Sequence, residues 1–137
     1  MRVTQDTASW IFAAGVFNLA LAAFHLSFWR LFDWPRSLSE SGALNRSVTQ
    51  ILNLAVTYLF VLSALVCFLF PSELAATALG RFWLMAMASF WLARALIQPS
   101  FFGLRHPLSL TLSGVFIAGT IIHGTAWVMA RGIWRIA

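Results

Sequence analysis

Apolar residues run through this chain in four long stretches, Ala8 to Arg30, Ser47 to Phe70, Glu73 to Gln98 and Leu108 to Ala130, and the segments between them hold all four prolines. Each stretch exceeds the roughly 20 residues that a helix needs to cross a hydrocarbon core about 30 Å thick. Pro71, Pro99 and Pro107 stand at the junctions, where a missing N–H costs least. Only Pro71 and Ser72 separate the second stretch from the third. So short a link forces its two helices to run antiparallel, and the third and fourth are linked almost as tightly. The pattern predicts an all-α integral membrane protein, residues 1–137 forming one domain of four antiparallel transmembrane helices in an up-down bundle. Arg2 and Asp6 ahead of the first stretch, and its length, predict a true span rather than a cleavable signal peptide.

The one long loop is LFDWPRSLSESGALNR, Leu31 to Arg46. Asp33 ahead of Trp34-Pro35 suits the cap of a short helix ending at Gly42 and lying in the interface with Trp34 and Leu38 down; an irregular surface loop is the competing expectation.

Composition agrees with lipid as solvent. The chain is 61% hydrophobic and 9% charged, with a mean hydropathy of +0.84, far from the roughly one quarter charged of a soluble domain. Trp10, Trp83, Trp127 and Trp134 fall toward one membrane face, Trp29 and Trp34 toward the other, and Trp91 nearer the middle. The single Cys67 lies in an apolar run, so neither a disulfide nor a thiolate metal cage is available. All nine basic residues are Arg, and they are split between the two faces, which points to lipid headgroups rather than nucleic acid. With Arg46 and Arg94 set aside as site residues, the face carrying Arg2, Arg81, Arg131 and Arg135 leads by four to three. That count makes both termini cytoplasmic.

The second stretch opens with NRSVTQILN, an unusual concentration of polarity for a membrane helix. At about 1.5 Å per residue from the helix ends, Gln50, Arg94, His25 and Asn53 lie about 5 to 9 Å below one face, three helices contributing to one layer. Helical spacing puts Arg46, Gln50, Asn53 and Thr57 on one stripe, and Arg94 and Gln98 on another. No acidic residue occurs in these upper halves to neutralise Arg94; the nearest in sequence are Asp33 and Glu40 of the loop. The candidate ligand contacts are therefore Arg94 as anion clamp, His25 as proton-responsive donor, and Gln50, Asn53 and Gln98 as neutral hydrogen-bonders. A lipid headgroup, a carboxylate or a quinone carbonyl suits them. Hydrogen-bonded helix contacts are the equally weighted structural explanation. Arg46 and Arg105 at the lip are expected as headgroup contacts.

Deeper in the slab, Asn18 and His123 are expected as an interhelical polar pair, and Gly114-xxx-Ala118 and Thr120-xxx-Gly124 offer small residues for close helix contact. Haem held by His25 and His123 is disfavoured, because their depths differ by about 14 Å. The triplet Arg105-His106-Pro107 resembles the RHP of membrane isoprenylcysteine methyltransferases over three residues; the acidic motif that follows it there has no counterpart, and no role carries across. Metalloprotease, glycosidase, serine hydrolase and P-loop motifs are missing from the sequence. The sequence thus points to a non-catalytic membrane binding module or complex subunit, ahead of an oligomeric anion- or proton-linked channel or transporter, and ahead of a small lipid-modifying enzyme using His25 as base. Membrane lipids, a quinone or small polar ligand, and further copies or subunits are the expected partners.

Overall fold

The computed structural model describes residues 4–103, 105 and 107–132, so the expectations placed on Arg2, His106, Trp134 and Arg135 fall outside the described residues. The described chain is helical throughout, with no strand among the described residues. The elements are α1 (Gln5–Leu26), α2 (Phe28–Leu31), α3 (Trp34–Ser37), α4 (Ala43–Leu69), α5 (Pro71–Ala76), α6 (Ala78–Phe102) and α7 (Pro107–Gly132). Three of them, α1, α4 and α7, are long and apolar enough to cross a membrane. Helix α6 has the length, but Arg81, Arg94 and Gln98 make it less apolar than those three.

Two of the expected stretches are broken. The first ends as a continuous helix at Leu26: Ser27 turns the chain, its hydroxyl donating to the Phe24 carbonyl at 2.6 Å, and α2 follows. The third is split at Thr77, which is extended (φ −97°, ψ 156°) between α5 and α6. Thr77 caps α6, its Oγ1 accepting from the Gly80 N–H at 2.9 Å. Arg81 donates to the carbonyls of Ala76 and Ala75, among the last of α5, at 3.1 and 3.5 Å. Pro71 and Pro107 sit in the first turns of α5 and α7, where proline is at home. Pro99, expected at a junction, lies inside α6, which continues to Phe102 before Gly103 turns at φ +65°. The expected loop helix is shorter than the sequence suggested. It spans only Trp34–Ser37, and Asp33, at φ 45°, makes no side-chain capping bond.

The chain divides into two compact units, Gly15–Val66 and Met1–Ala14 with Cys67–Ala137. In the first, α4 buries Asn53, Thr57, Phe60 and Ala64, a stripe at helical spacing, while Ile51, Leu52, Tyr58 and Leu59 face outward. In the second, α6 and α7 pack along their length as an antiparallel hairpin. Gly80, Leu84, Trp91 and Gln98 are the buried residues of α6, and Ser109, Phe116, Gly119, His123, Ala126 and Ala130 those of α7. Gly80 has a steric reason to be glycine, since a Cβ there would run into the backbone of Glu73 and Leu74. Large apolar side chains cover the outside of both units, as the 76% exposure of Leu44 and the 80% exposure of Phe101 illustrate. In water such a surface would be an extensive exposed apolar patch; against lipid it is solvated.

Candidate functional site

In the unit Gly15–Val66 the polar residues are organised around His25, in the last turn of α1. The end of a helix leaves its last four carbonyls without a partner in the helix, and His25 carries one of them. Asn53 of α4 supplies it: Nδ2 donates to the His25 carbonyl at 3.0 Å, while Oδ1 lies 2.8 Å from His25 Nδ1 and accepts its proton. That second bond fixes the imidazole as the Nδ1–H tautomer whenever it is neutral and leaves Nε2 as the acceptor nitrogen. Aromatic rings hold the imidazole plane. Phe28 stacks on it at 4.6 Å and Phe60 meets it edge-on at 5.3 Å. One helical turn further up α4, Gln50 Oε1 accepts from Trp29 Nε1 at 3.3 Å, and Trp29 and Phe28 both lean on the buried Trp34. Thr57 continues the stripe by donating to the Asn53 carbonyl at 2.8 Å.

In the α6–α7 hairpin the polar residues are organised around Arg94. Its Nη2 donates to Gln98 Oε1 at 3.3 Å, and its guanidinium carbon stands 4.8 Å from the centre of the Phe116 ring. Phe116 stacks on Trp91 at 5.8 Å, and Trp91 lies 6.5 Å from the ring of His123. A column of guanidinium, phenyl, indole and imidazole thus runs along the helix contact. His123 Nδ1 donates to the Gly119 carbonyl of its own helix at 2.8 Å. Among the described residues, Gln98 Nε2, Ser109 Oγ and Ser113 Oγ are buried side-chain atoms with no hydrogen-bond partner. Gln98 and Ser109 are 1% and 2% exposed.

The structure therefore joins His25 to Asn53 and Arg94 to Gln98, and gives Gln50 the partner Trp29. Asn18 and His123 are each fully buried. Arg46 and Arg105 are exposed, a placement compatible with headgroup contact. The small-residue pairs in α7 need correcting. Gly114 and Ala118 are exposed, and a Cβ on Gly114 or Gly124 would meet nothing within 4 Å, so neither glycine marks a close backbone approach. The hairpin face of α7 is instead Ser109, Phe116, Gly119, His123, Ala126 and Ala130. Sequence reading missed Phe116, Ser109 and Ser113 as parts of the polar clusters. A signal for all three existed: positions 109, 113, 116, 119 and 123 repeat at the 3.5-residue spacing of a helix-packing seam. Among the described residues no three His, Cys, Asp or Glu side chains are grouped to hold a metal ion. Neither family models nor curated proteins nor solved structures match this chain.

Proposed function

We propose that the chain is an integral membrane protein of four antiparallel spans, with α6 crossing as well as α1, α4 and α7 and both termini at the cytoplasmic face. Its function on this reading is that of a non-catalytic binding or accessory module that holds a lipid headgroup, a quinone or another polar or anionic ligand. Arg94 is the anion clamp; Gln98, His25, Gln50 and Asn53 are neutral hydrogen-bonding contacts, and Arg46 and Arg105 meet headgroups.

The observation that carries the proposal is the company of Arg94. Its partners among the described residues are an amide oxygen and a phenyl ring, both neutral. A cation within a membrane helix costs at least a few kcal/mol unless it is paired or reaches water, so an anion at Arg94 would remove a penalty the protein otherwise carries. The half-buried side chain is held from both sides and aligned by Gln98.

Native mass spectrometry of the protein released gently from its own membrane, beside Arg94→Ala, tests this. A bound mass present in the wild type and lost from the variant is expected. A bare wild-type protein at a defined subunit count would overturn the ligand reading and leave assembly as the role.

A further inference from the structure

Resting on that reading, we infer that the α6–α7 hairpin holds a phosphate-type oxyanion in a four-sided site made by Arg94, Gln98, Ser109 and Ser113.

The register of the hairpin places them. Arg94 lies against Phe116, and Trp91 lies between Phe116 and His123, which centres it on Gly119. Both contacts describe one antiparallel alignment, and the same alignment puts Leu84 opposite Ala126 and Gly80 opposite Ala130, all buried. Followed up α6 by one helical turn, it puts Gln98 opposite Leu112, over the hole bounded by Ser109, Leu112, Ser113 and Phe116. None of Gln98 Nε2, Ser109 Oγ and Ser113 Oγ bonds another described group.

The two serines also behave unlike several other hydroxyls of α4, α6 and α7. Thr57, Ser63, Ser89, Thr111 and Thr120 each donate to the carbonyl four residues earlier, the usual way a helix hides a hydroxyl in apolar surroundings. Ser109 and Ser113 do not, and their buried hydroxyls are left without a partner among the described residues. The chemistry of the set then selects the ligand. The acceptor oxygen of Gln98 is taken by Arg94, so what remains is an amide N–H, two hydroxyls and the guanidinium N–H groups. The amide N–H and the guanidinium can only donate, and the hydroxyls can turn to donate with them, a set that suits an anionic acceptor with several oxygens. Gln98 lies four residues from the end of α6 at Phe102, about 6 Å along the axis, and exposed Arg105 stands in the connecting turn. That depth is within reach of a headgroup phosphate, although free phosphate offers the same oxygens.

The experiment uses the full chain in detergent, titrated with phosphatidylglycerol, with diacylglycerol of the same acyl chains, and with inorganic phosphate, and read by native mass spectrometry. The expected result is that phosphatidylglycerol binds at least about tenfold tighter than diacylglycerol. Gln98→Leu and the double variant Ser109→Ala/Ser113→Ala, both checked for helicity, should each weaken that binding about tenfold and leave diacylglycerol unchanged, about one charge-assisted hydrogen bond apiece. Competition by inorganic phosphate would identify the free ion as an occupant; its failure to compete would identify the headgroup. Loss of phosphatidylglycerol binding in Arg94→Ala, with full binding in the glutamine and serine variants, would overturn the four-sided site while leaving Arg94 as a clamp. Equal binding of the two lipids to the wild type, with no effect of phosphate, would overturn the oxyanion itself; a different bound mass from the native membrane, lost in Arg94→Ala, would still uphold the broader ligand reading.

Discussion

Two buried side-chain amides, Asn53 in α4 and Gln98 in α6, are used differently. Asn53 gives both its ends to one residue: its oxygen takes the Nδ1 proton of His25 and its nitrogen serves the His25 carbonyl. Gln98 gives only its oxygen, to Arg94, and keeps a buried N–H without a partner among the described residues. A closed amide fixes two helices, each of its ends holding a partner within the protein. A half-open one beside a guanidinium is arranged for something else to complete it, because an unsatisfied buried donor otherwise costs about 1 to 3 kcal/mol. The chemistry is the same in both places; what differs is whether the protein itself completes the hydrogen bonds.

The hairpin side of this comparison depends on α6 lying where it does, and Gly80 is where that placement breaks most easily. Alanine at position 80 would gain some helix propensity, yet its Cβ would meet the backbone of Glu73 and Leu74, which has no side-chain freedom to yield. Gly80→Ala should therefore lower stability by about 3 kcal/mol, the cost of overpacking exceeding the propensity gain. Unfolding in mixed micelles with increasing denaturing detergent measures it. An unchanged midpoint would show that α5 and α6 do not approach at this glycine.

On the closed side, Asn53→Leu strands the His25 Nδ1–H and carbonyl, and should cost about 1 to 2 kcal/mol. A double-mutant cycle with His25→Phe isolates the pair. The coupling should be about 1 kcal/mol, in the range known for hydrogen bonds between membrane helices, and the double variant should recover the part of the loss that belongs to the Nδ1–H, since the carbonyl of residue 25 still lacks its donor. Additive losses would mean that the two residues act on stability separately, and the contrast with Gln98 would disappear.

How far the sequence reveals these features depends on their physical range. That His25 and Asn53 share a level follows from helix rise alone, and the two residues indeed meet. The breaks at Ser27 and Thr77 were not visible in that way. Hydropathy passes smoothly through both, and what breaks the helices is local: a serine bonding back to Phe24 and a threonine capping a new helix start. Asp33 misled in the opposite sense. Its residue type suits a cap, but its backbone is left-handed and its side chain lies 4.0 Å from exposed Arg36, a pairing worth little at the surface. Of the partners of Arg94, Gln98 follows from the i, i+4 spacing of one helix, whereas Phe116 depends on the register of α6 against α7, which no single-helix spacing contains.

The open side should respond to truncation with the reverse sign. In phosphate-free detergent Ser109→Ala/Ser113→Ala removes two buried hydroxyls that bond nothing described, and should leave stability unchanged or raise it by about 0.5 kcal/mol. Added phosphatidylglycerol should then stabilise the wild type more than the variant, since a ligand that binds only the folded form raises its stability by mass action. A variant destabilised as much as Asn53→Leu would place the serines in the same closed category as Asn53.

The smallest expected effect concerns which face of α7 is the seam. Gly114 suggests by its spacing from Ala118 a site of close helix approach, whereas the structure leaves both exposed and surrounds the Gly114 Cα with open space. On that outer face Gly114→Ala meets no atom within 4 Å and gains only helix propensity, so stability should rise by a few tenths of a kcal/mol. Because Ser113 is the preceding residue, any harm to the hairpin register would also appear as weakened phosphatidylglycerol binding. A small gain in stability with unchanged lipid affinity would keep the seam on the face of Ser109, Phe116 and His123. A loss of a full kcal/mol would move it to the face of Gly114, and with it would go the register that sets Gln98 over the two serines.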